Sequence, residues 1–183
     1  MRIIAGMARG RTFDAPQGLD TRPTLDRVRE NVFNILQMKA RGAAVLDLFS
    51  GSGAMAFEAL SRGAESAVLV DCDRQAHQVQ QRNAVKLRMD EQCRILHCDW
   101  QDALRRLAQE GARFNLVFLD PPYKMVDLTA VFAALKAVLA EDAVILLEHD
   151  AKGFPAVTDG YFLYDSRKYG AAGVSFLRQA EVE

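Results

Sequence analysis

From Ala43 onward, short apolar runs alternate with longer segments in which apolar residues recur every three or four positions. The apolar runs predict five strands, at 44–48, 66–71, 93–98, 114–119 and 143–148. The periodic segments predict helices at about 54–62, 74–87, 100–109 and 128–139. Such regular alternation is typical of a mostly parallel sheet covered by helices on both faces, so the sequence predicts an α/β fold.

The pattern changes after Gly160. Two runs, FLYDSRKYG and VSFLRQ, follow each other without a helix between them and meet at residues 170–173. Such a pair predicts an antiparallel hairpin at one edge of the sheet. The expected sheet therefore has seven strands and is mostly parallel.

The N-terminal region carries a different pattern. Short β-type pieces around Gly6 and Gly10 predict a hairpin over residues 2–14, with a disordered basic tail as the alternative. Residues 15–20 have the composition of a linker. At 183 residues the chain is expected to form a single domain, in which residues 1–20 extend a core over 21–183.

A helix is predicted after this linker. Pro23 stands where it can open a helix, with Thr24 or Asp26 as the cap. Its apolar stripe, which we expect to pack on the core, consists of Val28, Val32, Phe33, Ile35 and Leu36.

Composition restricts the class of protein. Half of the residues are hydrophobic and 26% are charged, as in ordinary globular proteins. No apolar run reaches the roughly 18–20 residues that span a bilayer, and the N-terminal apolar core is too short for a signal peptide, so we expect a cytoplasmic location. Neither the histidines nor the cysteines have metal-site spacing, so we expect no metal and three free thiols, Cys72, Cys93 and Cys98.

Charge is distributed unevenly along the chain. Residues 1–41 hold eight Lys or Arg against four Asp or Glu, whereas the remainder holds fifteen against twenty. The net charge of -1 therefore hides a basic N-terminal region, which predicts contact with phosphate groups. A solvated basic face is the alternative for each of the candidate residues, Arg2, Arg9, Arg11, Arg22, Arg27 and Arg29.

The segment VLDLFSGSGA, residues 45–54, joins a strand to a helix through a turn of small residues. Gly51 and Gly53 let a ligand approach the main chain, and the free N–H groups of the helix start favour a polar ligand. The spacing also fits a dinucleotide fingerprint, but Asp47 would repel a pyrophosphate and attract an ammonium or sulfonium group. S-adenosylmethionine carries both cations, so the segment predicts a site for this ligand. The alternative interpretation is a plain tight turn without a ligand.

Acidic residues stand at the ends of four successive predicted strands, and the carboxyl ends of such strands are where ligands bind. Asp71 lies 20 residues beyond Gly51, a position from which a carboxylate can accept both ribose hydroxyls. Asp73 is the better candidate for capping the next helix. Asp99, followed by Trp100, could accept a hydrogen bond from adenine or simply cap its helix, and Cys72 could border the adenine ring.

The fourth strand ends in the motif DPPY, residues 120–123. The two prolines fix the backbone so that the Asp120 carboxylate and a proline carbonyl can converge on the NH2 group of a planar base. Two acceptors on its hydrogens favour the pyramidal amine, whose lone pair can then attack a methyl carbon. Tyr123 offers a ring on which an extruded base can stack. A simple Pro-Pro turn is the alternative.

These motifs together resemble the amino-methyltransferases that modify adenine N6, guanine N2 or cytosine N4. The segments RIIAG, RPT, DRVRE, DLFSGSGA, EALSRGA, FLDPPY and KYG are similar, over nearly the whole chain, to the bacterial family that methylates guanine N2 in small-subunit ribosomal RNA. The resemblance implies a class I methyltransferase fold, S-adenosylmethionine as donor, and 16S rRNA in the 30S subunit or its assembly intermediate as substrate of a monomeric enzyme.

The resemblance also implies roles for particular residues. Asp120, Pro121, Pro122 and Tyr123 would hold the base, and the segment from Arg22 to Thr24 would close over the methionine end of the donor. The donor would lie against Thr24, Asp47, Phe49, Ser50, Gly51, Gly53, Asp71, Cys72, Asp99 and Trp100.

The identity of the base is supported only weakly by the residues themselves. A carboxylate can accept from guanine N1–H and N2–H together, whereas adenine N1 is an acceptor and would oppose the charge of Asp120. DPPY is nevertheless also similar to adenine-specific enzymes, so adenine N6 in DNA or RNA is the alternative, as is a protein side-chain amide. A nicotinamide-dependent dehydrogenase and a non-catalytic RNA-binding module are the competing classes.

Overall fold

The computed structural model describes residues 1–16, 23–122, 124–157 and 159–180. Seven strands form a single sheet: β1 (Ala44–Leu48), β2 (Ser66–Asp71), β3 (Cys93–His97), β4 (Phe114–Leu119), β5 (Leu139–Asp150), β6 (Tyr161–Tyr169) and β7 (Ala172–Gln179). Their order is β3-β2-β1-β4-β5-β7-β6, with β1 to β5 parallel and β7 antiparallel to both β5 and β6. The predicted α/β fold with a C-terminal antiparallel hairpin is confirmed.

Five α-helices accompany the sheet in the described residues: α1 (Pro23–Leu36), α2 (Ala54–Ser61), α3 (Arg74–Leu87), α4 (Trp100–Gln109) and α5 (Thr129–Leu135). Apolar residues of α1, α2 and α3 form one core on one face of the sheet, together with Ile3 and Phe13 of the N-terminal segment. Apolar residues of α4 and α5 form a second core on the other face. The central strands β1 and β4 are thus buried on both sides, as their continuous apolar runs predict, whereas β6 is largely exposed.

The main difference from the predicted elements lies between α5 and β5. The helix ends at Leu135, and the strand begins at Leu139, four residues before its predicted start at residue 143. Phe114 pairs with Leu139, and the register shifts before Leu116 pairs with Val144. A strand that is bent by such an irregularity extends into residues whose composition is helical, so its start could not be located from the pattern.

The N-terminal segment is docked on the body, which excludes the disordered-tail alternative. It forms a minimal hairpin in which Arg2 bridges Thr12, and Ile3 N–H donates to the Arg11 carbonyl over 2.9 Å. The buried Glu58 carboxylate of α2 accepts from the Ile4 and Ala5 N–H groups over 2.9 and 3.0 Å. An internal carboxylate therefore anchors this segment to the helix that follows the glycine turn.

Pro23 is the first residue of α1, as predicted, but the predicted caps are wrong. Thr24 and Asp26 lie inside the helix, whereas a cap residue precedes the first helical position. The Asp26 carboxylate instead accepts hydrogen bonds from the side chains of Arg2 and Arg29. It thereby ties α1 to the N-terminal hairpin.

Membrane-spanning helices and metal clusters are both absent from the described residues. None of the helices there combines the length and the hydrophobicity of a membrane-spanning segment. Across the same residues, no three His, Cys, Asp or Glu side chains are grouped so that they could hold a metal ion. The three cysteines are free thiols.

Candidate active site

The glycine turn follows β1 and takes an unusual backbone path. Phe49 has a φ of 68°, and Gly51 and Gly53 have φ of 51° and 79°. The N–H groups of Phe49 and Ser50 both donate to the Val70 carbonyl over 3.0 Å. These bonds fold the turn across the end of β2, so the positive φ at Phe49 is held by the neighbouring strand.

Gly53 is required by the close packing beneath the turn. A Cβ at this position would lie 2.6 Å from both the Leu69 and the Phe57 side chains, and its positive φ would strain any other residue. The turn therefore packs directly on the core, and α2 begins at the next residue, Ala54.

Asp47 lies beneath this turn. Only 3% of the residue is exposed, and its carboxylate accepts from the Ala56 N–H over 3.2 Å, inside the first turn of α2. Burial, with the charges of Asp120 and Asp71 as smaller contributions, raises its pKa well above the ordinary value. The structure thus assigns Asp47 a role in holding α2, and its contact with a cationic ligand stays a prediction.

Asp71 connects the ends of β1 and β2. One of its carboxylate oxygens accepts from the Gly51 N–H over 2.8 Å, and the other accepts from the Asp73 N–H over 2.9 Å. Asp73 is the residue that caps α3, accepting from the Gln75 and Ala76 N–H groups as predicted. Each oxygen of Asp71 keeps a further lone pair, so the carboxylate can still accept ribose hydroxyls.

The residues expected around adenine lie at the ends of β2 and β3. The Asp99 carboxylate accepts from the Asp102 N–H over 2.8 Å, which confirms that Asp99 caps α4. Its contact with adenine stays a prediction. Trp100 is half-buried against the second core, and Cys72 is exposed, with its carbonyl 3.2 Å from Nε2 of His97.

Two buried amides of α3 support the turn from behind, and neither was predicted from the sequence. The Gln80 side chain donates to Ser50 Oγ over 3.0 Å and to the Gly51 carbonyl over 2.8 Å. The Asn83 side chain donates to the Ser52 carbonyl over 3.1 Å. Both amides lie on the buried stripe of α3, and polar residues within an apolar stripe are the signal that could have identified them.

The DPPY motif begins beside the glycine turn. Leu119 at the end of β4 pairs with Leu48 at the end of β1, so Asp120 and Phe49 leave the sheet side by side at the carboxyl ends of these strands. This is the point where the strand order reverses, at which open α/β sheets bind their ligands. Pro122 uses its carbonyl to accept from the Met125 N–H over 2.8 Å, which leaves the Pro121 carbonyl as the candidate acceptor for an amine.

The remaining predicted residues near this edge lie outside the described structure. Tyr123 and Arg22 are not among the described residues, and the side chain of Thr24 lies outside them as well. Stacking of a base on Tyr123 and closure of the segment from Arg22 to Thr24 stay predictions.

A second carboxylate faces Asp120 from the next strand. Leu119 pairs with Leu147, so the next residues, Asp120 just after β4 and Glu148 within β5, lie side by side. Burial and, second, the charge of Glu148 raise the pKa of Asp120 to about 7, although the residue keeps access to solvent. Burial also raises the pKa of Glu148, an effect that His149 partly offsets.

A cavity of about 390 Å³ opens beside these carboxylates, within the range of about 300–1,000 Å³ that is usual for small-ligand sites. It is lined by Pro121, Pro122, Met125, Val126, Glu148, His149, Asp150, Lys152, Gly153, Phe154 and Pro155. The contribution of β5 was not predicted from the sequence. Glu148 is an acid at the end of a fifth predicted strand, the same signal that identified the other four.

His149 holds the loop that forms one wall of this cavity. Its Nδ1 lies 2.8 Å from the Asp150 carbonyl and 3.1 Å from the Gly153 carbonyl. Because both partners are acceptors, Nδ1 carries a proton and donates. Nε2 lies 2.8 Å from Ser175 Oγ on β7. The Phe154 ring packs against the imidazole at an angle of 80°, with centroids 5.2 Å apart.

The six predicted phosphate contacts have different surroundings. Arg29 is only 3% exposed and donates to the Arg2 carbonyl and to Asp26, so the prediction that it contacts phosphate is wrong. Arg9 and Arg27 are exposed. Arg2 and Arg11 are also exposed, although Arg2 donates to Asp26 and Arg11 donates to the Leu87 carbonyl over 3.0 Å.

The residues at the glycine turn fit S-adenosylmethionine. A carboxylate that can accept ribose hydroxyls is bonded to the turn itself, and the glycines leave the main chain open to a ligand, since a Cβ on Gly51 would meet no atom within 4 Å. Acidic side chains surround the strand ends, which favours a cationic donor over a pyrophosphate. The strand order, the glycine turn and the adjacent DPP turn define a class I methyltransferase fold.

Comparisons with known proteins place the chain more narrowly. It belongs to the family described as "Conserved hypothetical protein 95", which matches residues 1–178. "Ribosomal RNA small subunit methyltransferase D" of Escherichia coli (strain K12) is 35% identical over 187 residues, covering all of this chain and 92% of the relative.

Two solved structures share both the fold and the sequence pattern. The structure of yhhF from Escherichia coli is 36% identical, with a TM-score of 0.85 and coverage of 98% of each chain. The structure of the hypothetical protein TTHA0928 from Thermus thermophilus is 30% identical, with a TM-score of 0.81 and coverage of 100% of this chain and 99% of that chain.

Proposed function

We propose that this protein is an S-adenosylmethionine-dependent methyltransferase that methylates the exocyclic N2 of a guanine in small-subunit ribosomal RNA. The observation that carries the proposal is the pairing of Leu48 with Leu119, which brings the glycine turn and the DPP turn to one edge of the sheet. The name of the Escherichia coli relative supports ribosomal RNA as the substrate. Such a substrate implies a cytoplasmic location.

The half of the site formed by β1, β2 and β3 would hold the donor. Asp71 accepts from the glycine turn and would also accept the ribose hydroxyls, and Cys72 and Asp99 would border the adenine. Gln80 holds the carbonyl of Gly51, so the turn is organised before a ligand arrives. When it is bound, S-adenosylmethionine supplies an electrophilic methyl group on its sulfonium.

The half formed by β4 and β5 would hold the amine. The Asp120 carboxylate and the Pro121 carbonyl accept the two N2 hydrogens, which orients the amine and favours its pyramidal form. An ionised Asp120 stabilises the positive charge that develops on the nitrogen during transfer, and it can then receive the proton that the nitrogen loses. Excess carboxylate charge at the strand ends also favours a cationic donor.

The exposed arginines of the docked N-terminal segment and α1 would contact the RNA backbone. Arg2, Arg9 and Arg11 belong to the segment that Glu58 anchors, and Arg27 belongs to the helix packed beside it. A basic surface together with a small base pocket suits an RNA whose structure presents the nucleotide. We therefore propose the 30S subunit or its assembly intermediate as the substrate, acted on by a monomer.

The direct test supplies the full chain with methyl-labelled S-adenosylmethionine and small ribosomal subunits from a bacterium that lacks its own relative of this protein. The RNA is then digested to nucleosides and separated. We expect label in N2-methylguanosine. Label in N6-methyladenosine would reject the assigned base, and label that enters only DNA or protein in a parallel competition would reject the assigned substrate.

A further inference from the structure

The carboxyl group of Glu148 is adjacent to the amine site but has no role in the transfer described above. It follows β5 residue Leu147, which pairs with Leu119, and it lines the same cavity as Pro121 and Pro122. Within the described residues, no donor bonds the carboxyl groups of Asp120 or Glu148, so both are available to a ligand. They form a pair of neighbouring acceptors: Glu148 lines the cavity, and Asp120 immediately precedes the lining residue Pro121.

A pair of carboxylates matches the edge of guanine. Guanine presents two adjacent donors, N1–H and N2–H, whereas adenine presents the acceptor N1 beside its N6 amine. If Asp120 and the Pro121 carbonyl take the N2 hydrogens, Glu148 on the neighbouring strand is the acceptor left for N1–H. An adenine in the same place would put its N1 lone pair against a carboxylate, which is unfavourable in a partly buried site.

We propose that Glu148 is the specificity-determining residue of the site and accepts a hydrogen bond from guanine N1–H, while Asp120 accepts from N2–H. This inference rests on the proposed function and deepens it. The hydrogen bonds from N1–H and N2–H are then accepted by two carboxylates and not by Asp120 alone. Asp120 therefore remains free to take the proton from N2.

The surroundings of Glu148 keep it in place. The backbone of Glu148 lies opposite Val174 in the antiparallel pairing of β5 with β7, and its neighbour His149 is held by Ser175 on that same strand. A Cβ on Gly173 would lie 2.4 Å from the His149 ring, so the imidazole packs directly on the β7 backbone. The end of β5 is therefore anchored on the strand beyond it, as a base-reading residue requires.

The charged groups around Glu148 come from β4, β5 and the loop that follows β5. Asp120 follows β4, His149 and Asp150 belong to β5, and Lys152 belongs to the loop. Asp47 of β1 interacts with Asp120. Asp120 is the group whose ionisation responds to Glu148. Removing the charge of Glu148 should therefore let Asp120 lose its proton at lower pH.

The experiment compares Glu148→Ala and Glu148→Gln with Glu141→Ala, a control at the exposed opposite end of the same strand. The substrate is small-subunit RNA in which the methylated guanosine, once mapped, is replaced by 2-aminopurine, which keeps the 2-amino group but lacks N1–H. We expect the wild type and Glu141→Ala to prefer guanosine by about 10- to 100-fold in kcat/KM. Glu148→Ala should lose that preference and keep its affinity for S-adenosylhomocysteine.

The two glutamate variants also report on the carboxylate pair. In both, the acid limb of the pH profile of kcat/KM should move to lower pH, and Glu148→Gln should recover part of the guanosine activity because its amide oxygen can accept N1–H. A preference for guanosine that survives in Glu148→Ala, with an unmoved acid limb, overturns the inference. A wild type that makes no N2-methylguanosine instead overturns the proposed function.

Discussion

The Asn83 side chain donates to the Ser52 carbonyl at the glycine turn over 3.1 Å. The same amide is bonded to Asp14, donating to its carbonyl over 2.9 Å and accepting from its N–H over 2.8 Å. One buried side chain thus connects the N-terminal segment, which carries the basic residues, to the turn that would hold the donor. The N-terminal segment, which would contact RNA, and the glycine turn, which would hold the donor, are thus both held by α3.

Replacing Asn83 should therefore weaken two regions together. Asn83→Ala leaves the buried Ser52 carbonyl and two partly buried backbone groups of Asp14 without their partner, which we expect to lower the free energy of unfolding by about 1–3 kcal/mol. Affinity for S-adenosylhomocysteine should fall as well, because the turn loses a support. Chemical denaturation and calorimetric titration measure these effects, and Gln81→Ala, on the exposed face of the same helix, is the control. Equal behaviour of the two variants would contradict the bridging role.

Gly6 offers a test of the docked N-terminal segment. A Cβ on Gly6 would lie 1.8 Å from the Ser61 carbonyl oxygen, whereas a Cβ on Gly10 would meet nothing within 4 Å. Both residues have a positive φ, 83° and 82°. Gly10→Ala should thus cost only the backbone strain of about 1–2 kcal/mol.

Gly6→Ala carries the same strain and adds a collision with backbone. We expect it to displace the segment from α2, to lower the free energy of unfolding by more than about 3 kcal/mol, and to open residues 1–14 to proteolysis. Limited proteolysis of the two variants side by side measures this. Similar cleavage rates for both would show that the segment does not depend on its contact with Ser61.

Asp71 and Asp73 provide a matched pair at the donor half. Asp73 accepts from two N–H groups of α3, so Asp73→Ala should remove a helix cap and cost about 1 kcal/mol of stability with little change in donor affinity. Asp71→Asn should instead weaken binding of S-adenosylhomocysteine, because an amide offers only one acceptor oxygen for the turn and the ribose. Titration calorimetry that finds unchanged affinity for Asp71→Asn would remove Asp71 from the donor site.

Because the pKa of Asp120 is raised, we expect its contribution to the free energy of unfolding to fall as the pH rises. With a folded-state pKa of about 7, above the ordinary 3.8, the folded protein holds more protons at this residue than the unfolded chain between those values. The contribution of Asp120 to stability therefore falls as the pH rises through this window and stays reduced above it. Asp120→Asn removes that loss, so its Tm should exceed the wild-type Tm at pH 8, and the excess should shrink towards pH 4.

Asp127 is the control of opposite sign for this measurement. Hydrogen bonds from Thr129 lower its pKa, so its charge favours folding above pH about 4. Asp127→Asn should lower the Tm at pH 8, if only slightly. If Asp120→Asn and the wild type have the same Tm at pH 8, ionised Asp120 does not destabilise the folded protein, and the prediction is wrong.

Much of the architecture and part of the site could be predicted because the relevant signals are local. Apolar runs with an acid at their ends located β1 to β4 and the residues that close them, and the DPP turn lies where the alternation of strands and helices places it. Glu148 was missed although it carries the same signal as Asp47 and Asp71, an acid at the end of a predicted strand. The start of β5 was missed because a bent strand reaches into residues of helical composition.

The remaining differences concern contacts between distant segments, which no local pattern specifies. Counting charges could not distinguish the buried Arg29 from its exposed neighbours. The one local signal was Asp26, three residues before it, with which Arg29 forms an ion pair. Glu58 meets the N-terminal backbone across more than fifty residues of sequence. Asp99 had two possible roles in the sequence, and the structure identifies the cap without excluding the adenine contact.

The measurement that tests the central claim most directly is single-turnover methyl transfer to small-subunit RNA by Asp120→Asn, paired with titration of S-adenosylhomocysteine into the same variant. If Asp120 holds the amine, the rate should fall by about 10²–10³-fold while donor affinity stays at the wild-type value. Equal loss of transfer and of donor affinity, or a rate unchanged by the substitution, would contradict the account.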